Sequence, residues 1–385
     1  MLRVYLDNNA STPVLPEVFE AMRPYYLERF GNASSIHHFG QHARASVERA
    51  RNSVAALLNA RPAEVVFTSG GTEADNLGIF GLVRTGDHVI TSGIEHSAVM
   101  NTCKHLEQMG CEVTYLPVND RCEVDPEDVR KAIRTNTRLI SVMMANNETG
   151  VIQPVEEIGR IALEADVFFH TDAVQAVGKV PIDVEKIRCD ALSISGHKIH
   201  GPQGTGALYV RKGTLIQPLL YGGNHERRRR AGTENLPGIV GMGKAAEIAR
   251  EWLEHDGVVE MAAVRDRLEN AILQSVEGTG VNGVGAPRVP NTSSIYFDYT
   301  EGEALVIALD LKGLSVSSGA ACSSGAIEPS HVLLAMRLSP ERARGSLRLS
   351  LGKQTTNDEV DFAIRIIPET VARLRELSPV ARSAS

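Results

Sequence analysis

Short apolar runs rich in β-branched residues alternate along most of the chain with longer stretches in which apolar residues recur at helical spacing. This alternation is typical of a mostly parallel sheet whose strands are joined by crossover helices. We place the strands at 65–69, 87–92, 111–116, 138–144, 166–171, 190–195 and 205–210. The pattern therefore predicts one large α/β domain built on a seven-stranded, mostly parallel sheet.

The alternation loosens past about residue 255, and the remaining elements are fewer. A long helix is followed by a strand at 293–298, a helix from Glu301 and a strand at 346–350. These elements predict a smaller α+β domain. We place the large domain at 15–255, and the small domain at 1–14 together with 256–385.

Composition agrees with a folded protein and excludes several classes of function. Hydrophobic residues make up 43% of the 385 residues and charged residues 23%, which excludes a disordered or collagen-like chain. Because 47 acidic residues outweigh 40 Lys and Arg, no nucleic-acid or anionic-membrane partner is expected. The N-terminus MLRVYLDNNAS has no apolar signal region, and no apolar run reaches the roughly 18 residues of a spanning helix. We therefore expect a cytoplasmic protein.

The chain has five cysteines, at positions 103, 111, 122, 189 and 322. Their wide spacing excludes a C-x-x-C zinc or redox motif and a disulfide scaffold, and it indicates a reducing compartment. Four of them lie in predicted elements or their connections, where a small buried thiol is the ordinary interpretation. Cys322 is flanked instead by SSGAA and SSG. These small, polar residues favour a mobile loop with a reactive thiol, although an inert cysteine remains the alternative.

Polar residues follow five of the predicted strands at their carboxyl ends. Ligands bind at that edge of an open parallel sheet, so these residues are expected to converge on one site. They are Gly70-Gly71-Thr72, Glu95-His96, Asn146-Asn147-Glu148, Asp172 with Gln175, and Ser195-Gly196-His197-Lys198. Any one of them alone is ordinary in a structural role, but the set combines a phosphate turn, an acid, an aromatic plate and a lysine.

This combination fits pyridoxal 5′-phosphate. The Gly71-Thr72 turn opens a helix and suits the phosphate. Asp172 suits the protonated pyridine nitrogen, with a Coulomb energy of roughly 4 kcal/mol at about 4 Å and an effective dielectric constant of about 20. His96 can stack on the ring, and Gln175 can donate a hydrogen bond to the phenolic oxygen. Lys198 can form a Schiff base through its neutral amine.

Several motifs, in order along almost the whole chain, resemble those of the cysteine desulfurases of the NifS/IscS type. They are YLDNNAST at 5–12, FTSGGTEADN at 67–76, IEHSAV at 94–99, NNETG at 146–150, TDAVQAVGK at 171–179, SGHK at 195–198, HERRRRAGTEN at 225–235, SSGAACSSG at 317–325 and LRLSLG at 347–352. The resemblance implies a homodimeric, fold-type I pyridoxal-phosphate enzyme. It further implies conversion of L-cysteine to L-alanine, with the sulfur passed to an acceptor for Fe–S cluster assembly.

The resemblance also implies roles for individual residues. Lys198 matches the lysine that bonds to the cofactor, and Cys322 matches the nucleophile that becomes a persulfide. The other matches are His96 for ring stacking, Asp172 and Gln175 for the pyridine nitrogen and phenolic oxygen, Gly71, Thr72, Ser195 and His197 around the phosphate, Thr233 from the other subunit, and Asn147 and Arg348 near the substrate carboxylate. By the same resemblance, Cys322 is expected to act as a transient ligand of an Fe–S cluster. His96 is our candidate for the group that helps to form the Cys322 thiolate.

Two positions depart from the family pattern. Gly71 stands where the family often has alanine. Arg228 stands where glycine is common, and it completes a run of four arginines at 227–230. This run is either a solvated charge cluster near the dimer interface or a dock for an acidic sulfur acceptor. The spacing of 25 residues between Cys322 and Arg348 resembles that of the desulfurases that deliver sulfur directly to a scaffold. The sequence of the loop and the C-terminal RELSP favour the branch that serves nitrogenase-type clusters.

Other functions remain open on sequence alone. The same residues suit a selenocysteine lyase or another fold-type I enzyme related to the aminotransferases, although an aminotransferase would not need Cys322. A protein of a different class, a non-catalytic partner in sulfur trafficking, would keep the fold without the chemistry. The presence of Lys198, Asp172 and Cys322 argues against this last interpretation.

Overall fold

The computed structural model describes residues 3–318, 322–323 and 326–377, and only the backbone of Cys322, Ser323, Ala326 and Ile327. The strands in these residues are β1 Val4–Tyr5, β2 Val65–Thr68, β3 His88–Ser92, β4 Glu112–Leu116, β5 Thr137–Ser141, β6 Phe168–Asp172, β7 Ala191–Ser195, β8 Gly206–Val210, β9 Thr279–Val281, β10 Thr292–Phe297, β11 Leu314–Ser315, β12 Ser317–Ser318, β13 Cys322–Ser323, β14 Ala326–Ile327 and β15 Ser346–Ser350. The α-helices are α1 Pro16–Met22, α2 Pro24–Leu27, α3 His38–Leu57, α4 Gly71–Phe80, α5 Ser97–Gln108, α6 Pro126–Ala132, α7 Val155–Glu164, α8 Val184–Ile187, α9 Leu236–Glu254, α10 Gly257–Ser275, α11 Gly302–Leu311, α12 His331–Ala335, α13 Pro340–Arg344 and α14 Asn357–Leu377.

The large sheet contains the seven strands that the sequence predicts. Its order is β2-β8-β7-β6-β5-β3-β4, and every neighbouring pair is parallel except the two that involve β8. The connection from β7 to β8 spans only residues 196–205 and contains no α-helix. Because a parallel return needs a longer crossover, β8 comes back antiparallel to β7. The prediction of a mostly parallel α/β sheet is confirmed.

Helices cover both faces of this sheet, which explains why its strands are apolar runs without polar alternation. Adjacent residues of β5 show the arrangement, since Leu139 and Ile140 are both fully buried but belong to different hydrophobic clusters. Ile140 packs in the cluster that contains the apolar residues of α3, α7 and α9. Leu139 packs in the cluster formed with α4 and α5.

A second, smaller sheet has the antiparallel order β12-β15-β10-β9. Its hydrophobic cluster combines Val4 and Leu6 with residues between 268 and 371, chiefly from α10, α11 and α14. The sequence located β10, β15, α10 and α11, but not the two- and three-residue strands β9 and β12. The division of the chain at residue 255 stays a prediction. No helix in the described ranges is both long and apolar enough to cross a membrane.

The segment that follows β1 connects the two sheets. The backbone N–H of Asn9 donates to Ser350 Oγ at 2.9 Å, at the end of β15. Three residues later, the backbone N–H of Thr12 donates to the carbonyl of His197 at 3.0 Å, just beyond β7. These contacts hold residues 9–12 across the carboxyl edge of the large sheet.

Candidate active site

An open cleft of about 680 Å³ lies at the carboxyl edge of the large sheet. Nine residues that the sequence predicts for a cofactor site line it: Gly71, Thr72, His96, Asn147, Asp172, Gln175, Ser195, His197 and Lys198. Ala10, Asp75, Met143 and Val174 complete the lining. Parallel strands end at the same edge, so residues up to 127 positions apart in the sequence meet in one place.

One end of the cleft has the chemistry of a phosphate site. Helix α4 begins at Gly71, so the first N–H groups of a ten-residue helix are free of intrahelical partners beside Thr72. The hydroxyl of Ser195 and the ring of His197 lie at the same end. Burial, followed by the charge of Lys198, lowers the pKa of His197 to about 4. A neutral ring can still donate one N–H to an anion.

At the other end, the buried acids Asp75 and Asp172 line the cleft, and a third acid, Glu95, is buried close to both without lining it. Burial is the largest cause that raises the pKa of each, and it raises that of Glu95 to about 8. Asp172 Oδ1 accepts the backbone N–H of Val174 at 2.8 Å, which fixes its orientation. Two carboxylate oxygens, Asp75 Oδ1 and Glu95 Oε2, are buried without a hydrogen-bond partner in the described structure. A cationic group in the cleft would offset this concentration of acids.

His96 lies between these two ends and caps helix α5. Its Nδ1 accepts the backbone N–H of Ala98 at 3.1 Å, so the proton of the neutral ring is on Nε2. Desolvation is the largest influence and lowers the pKa of His96; the charge of Asp172 opposes it, whereas Lys198 and His331 add to it. His96 is therefore neutral near pH 7. It offers the cleft an aromatic ring and an Nε2 proton donor.

Lys198 follows β7 on a short 3-10 turn, Gly196–Lys198. Its Nζ donates to the carbonyl of Asn9 at 2.5 Å and to that of Ala10 at 2.8 Å, on the segment that crosses the sheet edge. Burial, followed by the charge of Arg348, lowers the pKa of Lys198 to about 8, although Asp172 and Asp7 act in the opposite direction. Roughly one tenth of this lysine is therefore a neutral amine at pH 7, far more than for an ordinary lysine.

The lowered pKa predicts how fast the cofactor-free protein captures pyridoxal phosphate. Only the neutral amine attacks an aldehyde, and its fraction rises from roughly one tenth at pH 7 to roughly nine tenths at pH 9 when the pKa is about 8. We expect the rate constant for covalent capture, followed by absorbance, to increase about tenfold over this range and then level off. A rate that continues to rise up to about pH 10.5 would mean that Lys198 has the pKa of an ordinary lysine.

Arg348 lies beside the cleft without lining it. Its Nη2 donates to Asp7 Oδ1 at 2.8 Å, and its Nη1 donates to the backbone carbonyl of Asn147 at 3.0 Å. Arg348 Nε is buried with no hydrogen-bond partner in the described structure. Arg348 is thus held in a salt bridge with Asp7 in this structure, and a carboxylate substrate would share or replace Asp7 as its partner.

The donor set fits pyridoxal phosphate. A helix N-terminus and neutral donors suit a phosphate, and the buried acids with unpartnered oxygens suit a protonated pyridine nitrogen. Lys198 supplies an amine with a lowered pKa between these two ends. Gly71 leaves room for the side chain of Val174, since a Cβ at position 71 would lie 2.8 Å from Val174 Cγ2. This clash gives a physical reason for glycine at a position where the family often has alanine.

Two further predicted site residues are Thr233 and Cys322. Thr233 is exposed and does not line the cleft of its own chain, where it was expected only from a second subunit. The backbone of Cys322 pairs with Ile327 in a two-stranded hairpin, whereas its side chain lies outside the described part of the structure. The other four cysteines are buried, and burial raises the pKa of their thiols, to about 12 for Cys103 and Cys122. They are weak nucleophiles, as the sequence predicts.

The structure adds four residues to which the sequence analysis assigned no role. Asp75 lies one helical turn after Thr72, and Glu95 immediately precedes His96. Asn9 and Lys179 lie behind Lys198 and Gln175. All four occur inside or beside motifs already noted, but their spacing alone does not distinguish them from neighbouring polar residues.

The four arginines at 227–230 differ in their contacts. Arg230 forms a salt bridge with Glu73 at 2.8 Å, and Arg229 donates to the carbonyl of Ala63 at 3.2 Å. Arg227 and Arg228 are exposed. Arg228 has a φ of +67°, in the left-handed region that favours glycine, which gives a physical reason for the glycine common at this position in the family.

Comparisons with known proteins agree with this site. The model of the aminotransferase class-V family matches residues 4–362. The cysteine desulfurase IscS of Methanosarcina thermophila is 51% identical over 381 residues, covering 98% of this chain and 94% of its own. A solved structure of a NifS-like protein superimposes with a TM-score of 0.90 at 39% identity, covering 97% of this chain and all of its own. Another, described as SspA in complex with cysteine, has a TM-score of 0.80 at 38% identity and covers 90% of this chain and 98% of its own. The chain therefore belongs to the class-V aminotransferase family and, within it, to the cysteine desulfurases of the NifS/IscS type.

Proposed function

We propose that this protein is a pyridoxal-phosphate-dependent cysteine desulfurase. It converts L-cysteine to L-alanine and passes the sulfur, as a persulfide on Cys322, to an acceptor for Fe–S cluster assembly. The observation that carries the proposal is that Lys198, the Asp172 carboxylate and the helix N-terminus at Gly71 share one cleft. The family membership of the chain supports the choice of cysteine as substrate.

The residues of the cleft divide the chemistry among them. When bound, pyridoxal phosphate withdraws electrons from the substrate Cα and makes its proton acidic. Asp172, oriented by the Val174 N–H, holds the proton at the ring nitrogen. Lys198 Nζ takes the Cα proton and later returns a proton to the substrate fragment. A pKa of about 8 suits this exchange, because a general base works best when its pKa is near the working pH.

Substrate binding and sulfur transfer involve the other side of the cleft. Arg348 binds the substrate carboxylate through its planar guanidinium, which its contact with the Asn147 carbonyl holds at the cleft edge. The Cys322 thiolate attacks the substrate sulfur, so that an S–S bond forms as the Cβ–S bond breaks. The electron pair of the broken bond stays on the carbon fragment, which takes up protons and leaves as alanine. Sulfur remains on Cys322 at the persulfide level, ready for transfer.

A homodimer would complete the site. Residues 26–39 expose several large apolar side chains, with Leu27 83% and Ile36 89% exposed. An exposed apolar group of this kind is typical of a protein interface. We infer that a second copy covers it and that Thr233 reaches the phosphate end of the partner's cleft. The acceptor is proposed to be an Fe–S scaffold in the cytoplasm, and the exposed Arg227 and Arg228 remain available to an acidic surface.

One experiment tests the proposed reaction. The purified protein is incubated with pyridoxal phosphate and L-cysteine, alanine and sulfide are quantified, and the persulfide is located by peptide mass spectrometry. We expect alanine in step with transferable sulfur, and the added mass on Cys322. Parallel reactions with selenocysteine and cysteine sulfinate measure selectivity. Alanine from selenocysteine with none from cysteine would indicate a selenocysteine lyase instead, and a colourless, inactive protein would indicate a non-catalytic role.

A further inference from the structure

Lys179 is a buried lysine without a carboxylate partner in the described structure. Its Nζ donates to two amide oxygens, Gln175 Oε1 at 2.6 Å and Asn9 Oδ1 at 3.0 Å. Among the residues that the structure describes, no carboxylate forms a salt bridge with it. Burying an unpaired ammonium is costly, so a position of this kind calls for a functional explanation.

The backbone conformation next to Lys179 directs its side chain into the protein interior. Gly178 has a φ of +68°, and a Cβ at this glycine would lie 2.7 Å from Ile199 Cγ2. The chain therefore turns back tightly beside the sheet and directs Lys179 toward Gln175, four residues earlier. No other residue type takes this conformation and this close contact without strain.

The contacts of Gln175 leave its amide only one favourable orientation. Its Oε1 accepts from Lys179, and its Nε2 donates to the carbonyl of Asn9 at 2.9 Å. If the amide flipped, Nε2 would face the ammonium donor and Oε1 would face a carbonyl acceptor, and both hydrogen bonds would be lost. The second Nε2 hydrogen has no protein acceptor in the described structure. Because Gln175 lines the cleft, this hydrogen is the one available to a ligand.

Asn9 is also held by several hydrogen bonds, so the side chains behind the cleft have fixed positions. Its Oδ1 accepts from Asn291 at 3.1 Å as well as from Lys179, and its Nδ2 donates to Thr292 Oγ1 at 2.8 Å. Its backbone carbonyl accepts from both Gln175 and Lys198. Lys179 therefore contacts both Gln175 and Asn9, the residue whose carbonyl accepts the other hydrogen bond of the Gln175 amide.

We propose that Lys179 is a positioning residue that holds the Gln175 amide with its N–H toward the phenolic oxygen of the bound cofactor. Lys179 acts through Gln175 and does not itself touch substrate or cofactor. Burial is the largest cause that lowers the pKa of Lys179, and the charges of Lys198 and Arg348 lower it further. Its two amide acceptors are the only polar contacts that offset this burial in the described structure. The inference rests on the proposed function for the identity of the cofactor.

The test is a pH titration of the visible absorbance of the cofactor-loaded protein. An N–H donated to the phenolic oxygen stabilises its ionised form and weakens proton binding at the Lys198–cofactor bond. We expect Lys179→Met to raise the midpoint by about one pH unit, a roughly tenfold change in proton affinity. Gln175→Leu should raise it by a similar amount. The double variant Lys179→Met/Gln175→Leu should show no further rise, because Lys179 has nothing left to orient.

The matched control is Lys353→Met, which removes a half-buried lysine whose Nζ is also buried. Lys353 lies over the ring of Trp252 at 4.9 Å and makes no hydrogen bond to Gln175, so the midpoint should stay at its wild-type value. If Lys179→Met does not fold, Lys179→Gln replaces it. A glutamine can present either a donor or an acceptor to Gln175 and no longer enforces one orientation, so the midpoint should again rise.

Three results would overturn the inference: an unchanged midpoint in the Lys179 variants, an equal rise in Lys353→Met, or an additive rise in the double variant. Each of these leaves the proposed function intact, because the wild-type protein still binds the cofactor and shows its absorbance. A wild-type protein with no visible absorbance after incubation with pyridoxal phosphate would instead contradict the proposed function itself. The two failures are therefore distinguishable in one series of spectra.

Discussion

Lys198→Ala is expected to abolish covalent attachment of pyridoxal phosphate and to lower alanine formation from L-cysteine by roughly 10³-fold or more. Lys198 is the only described residue lining the cleft that carries an amine, so its loss removes both the covalent link and the base that takes the Cα proton. The phosphate end and the acids remain, and the variant should still bind the cofactor reversibly. Spectra, the intact mass after borohydride reduction and an alanine assay measure these effects.

A lysine of the same charge but outside the cleft serves as the control for this variant. Lys212 is exposed just after β8, and Lys212→Ala should keep the wild-type spectrum, reduced mass and activity. Retention of the covalent adduct in Lys198→Ala would show that another amine carries the cofactor. Lys179 would then be the first candidate, since its Nζ lies behind the same cleft.

Cys322→Ala should have an effect of the opposite kind, with the cofactor retained and the sulfur chemistry lost. The variant should keep the wild-type absorbance spectrum, because none of the nine predicted residues that line the cleft is changed. It should form no persulfide and release sulfide at less than about one hundredth of the wild-type rate, since no thiolate is available to accept the sulfur. Mass mapping after incubation with L-cysteine, together with a sulfide assay, measures both.

Cys111→Ala is the matched control for Cys322→Ala. The Cys111 thiol is buried at the start of β4 and donates to the carbonyl of Arg84 at 3.3 Å, and burial raises its pKa. It should carry no persulfide in the wild-type protein, and the variant should release sulfide normally. Normal sulfide release by Cys322→Ala, or a persulfide on one of the four buried cysteines, would contradict the assignment of the nucleophile.

The charged groups around the cleft help to explain why the Lys198 variant is expected to be so damaging. Asp75, Asp172 and Lys198 line the cleft, whereas Glu95, Lys179 and Arg348 lie close by without lining it. Burial raises the pKa of those acids and lowers the pKa of the two lysines. These three acids and two lysines are thus nearer to their neutral forms than they would be in water. Protons move readily between groups in that condition.

His96 shows where the sequence and the structure differ in detail. The sequence pattern places it at the carboxyl end of β3, and the structure confirms that it lines the cleft. The sequence hypothesis also made it the base or cation that forms the Cys322 thiolate. Its Nδ1 already accepts the Ala98 N–H, and desolvation with the nearby Lys198 charge keeps the ring neutral. The role of His96 toward Cys322 stays a prediction, and such contacts are not encoded in local spacing.

By itself, the sequence determined the seven strands of the large sheet, their mostly parallel arrangement and the convergence of the cofactor residues on one site. It could do so because apolar periodicity and the residues that follow each strand are local properties, and because parallel strands share one carboxyl edge. The family motifs added the expected chemistry at Lys198, Asp172 and Cys322. None of these conclusions requires knowledge of contacts between distant segments.

Only the tertiary structure decided which polar groups support that chemistry. Asn9 and Lys179 are 170 residues apart, yet their side chains meet behind Gln175. Arg348 reaches Asp7 across 341 residues, and Asp75 joins Asp172 from a different element. Burial and the charges of these neighbours lower the pKa of Lys198 and raise that of Glu95. Both pKa shifts depend on which atoms the fold brings within a few ångströms of each other, and no spacing along the chain specifies this.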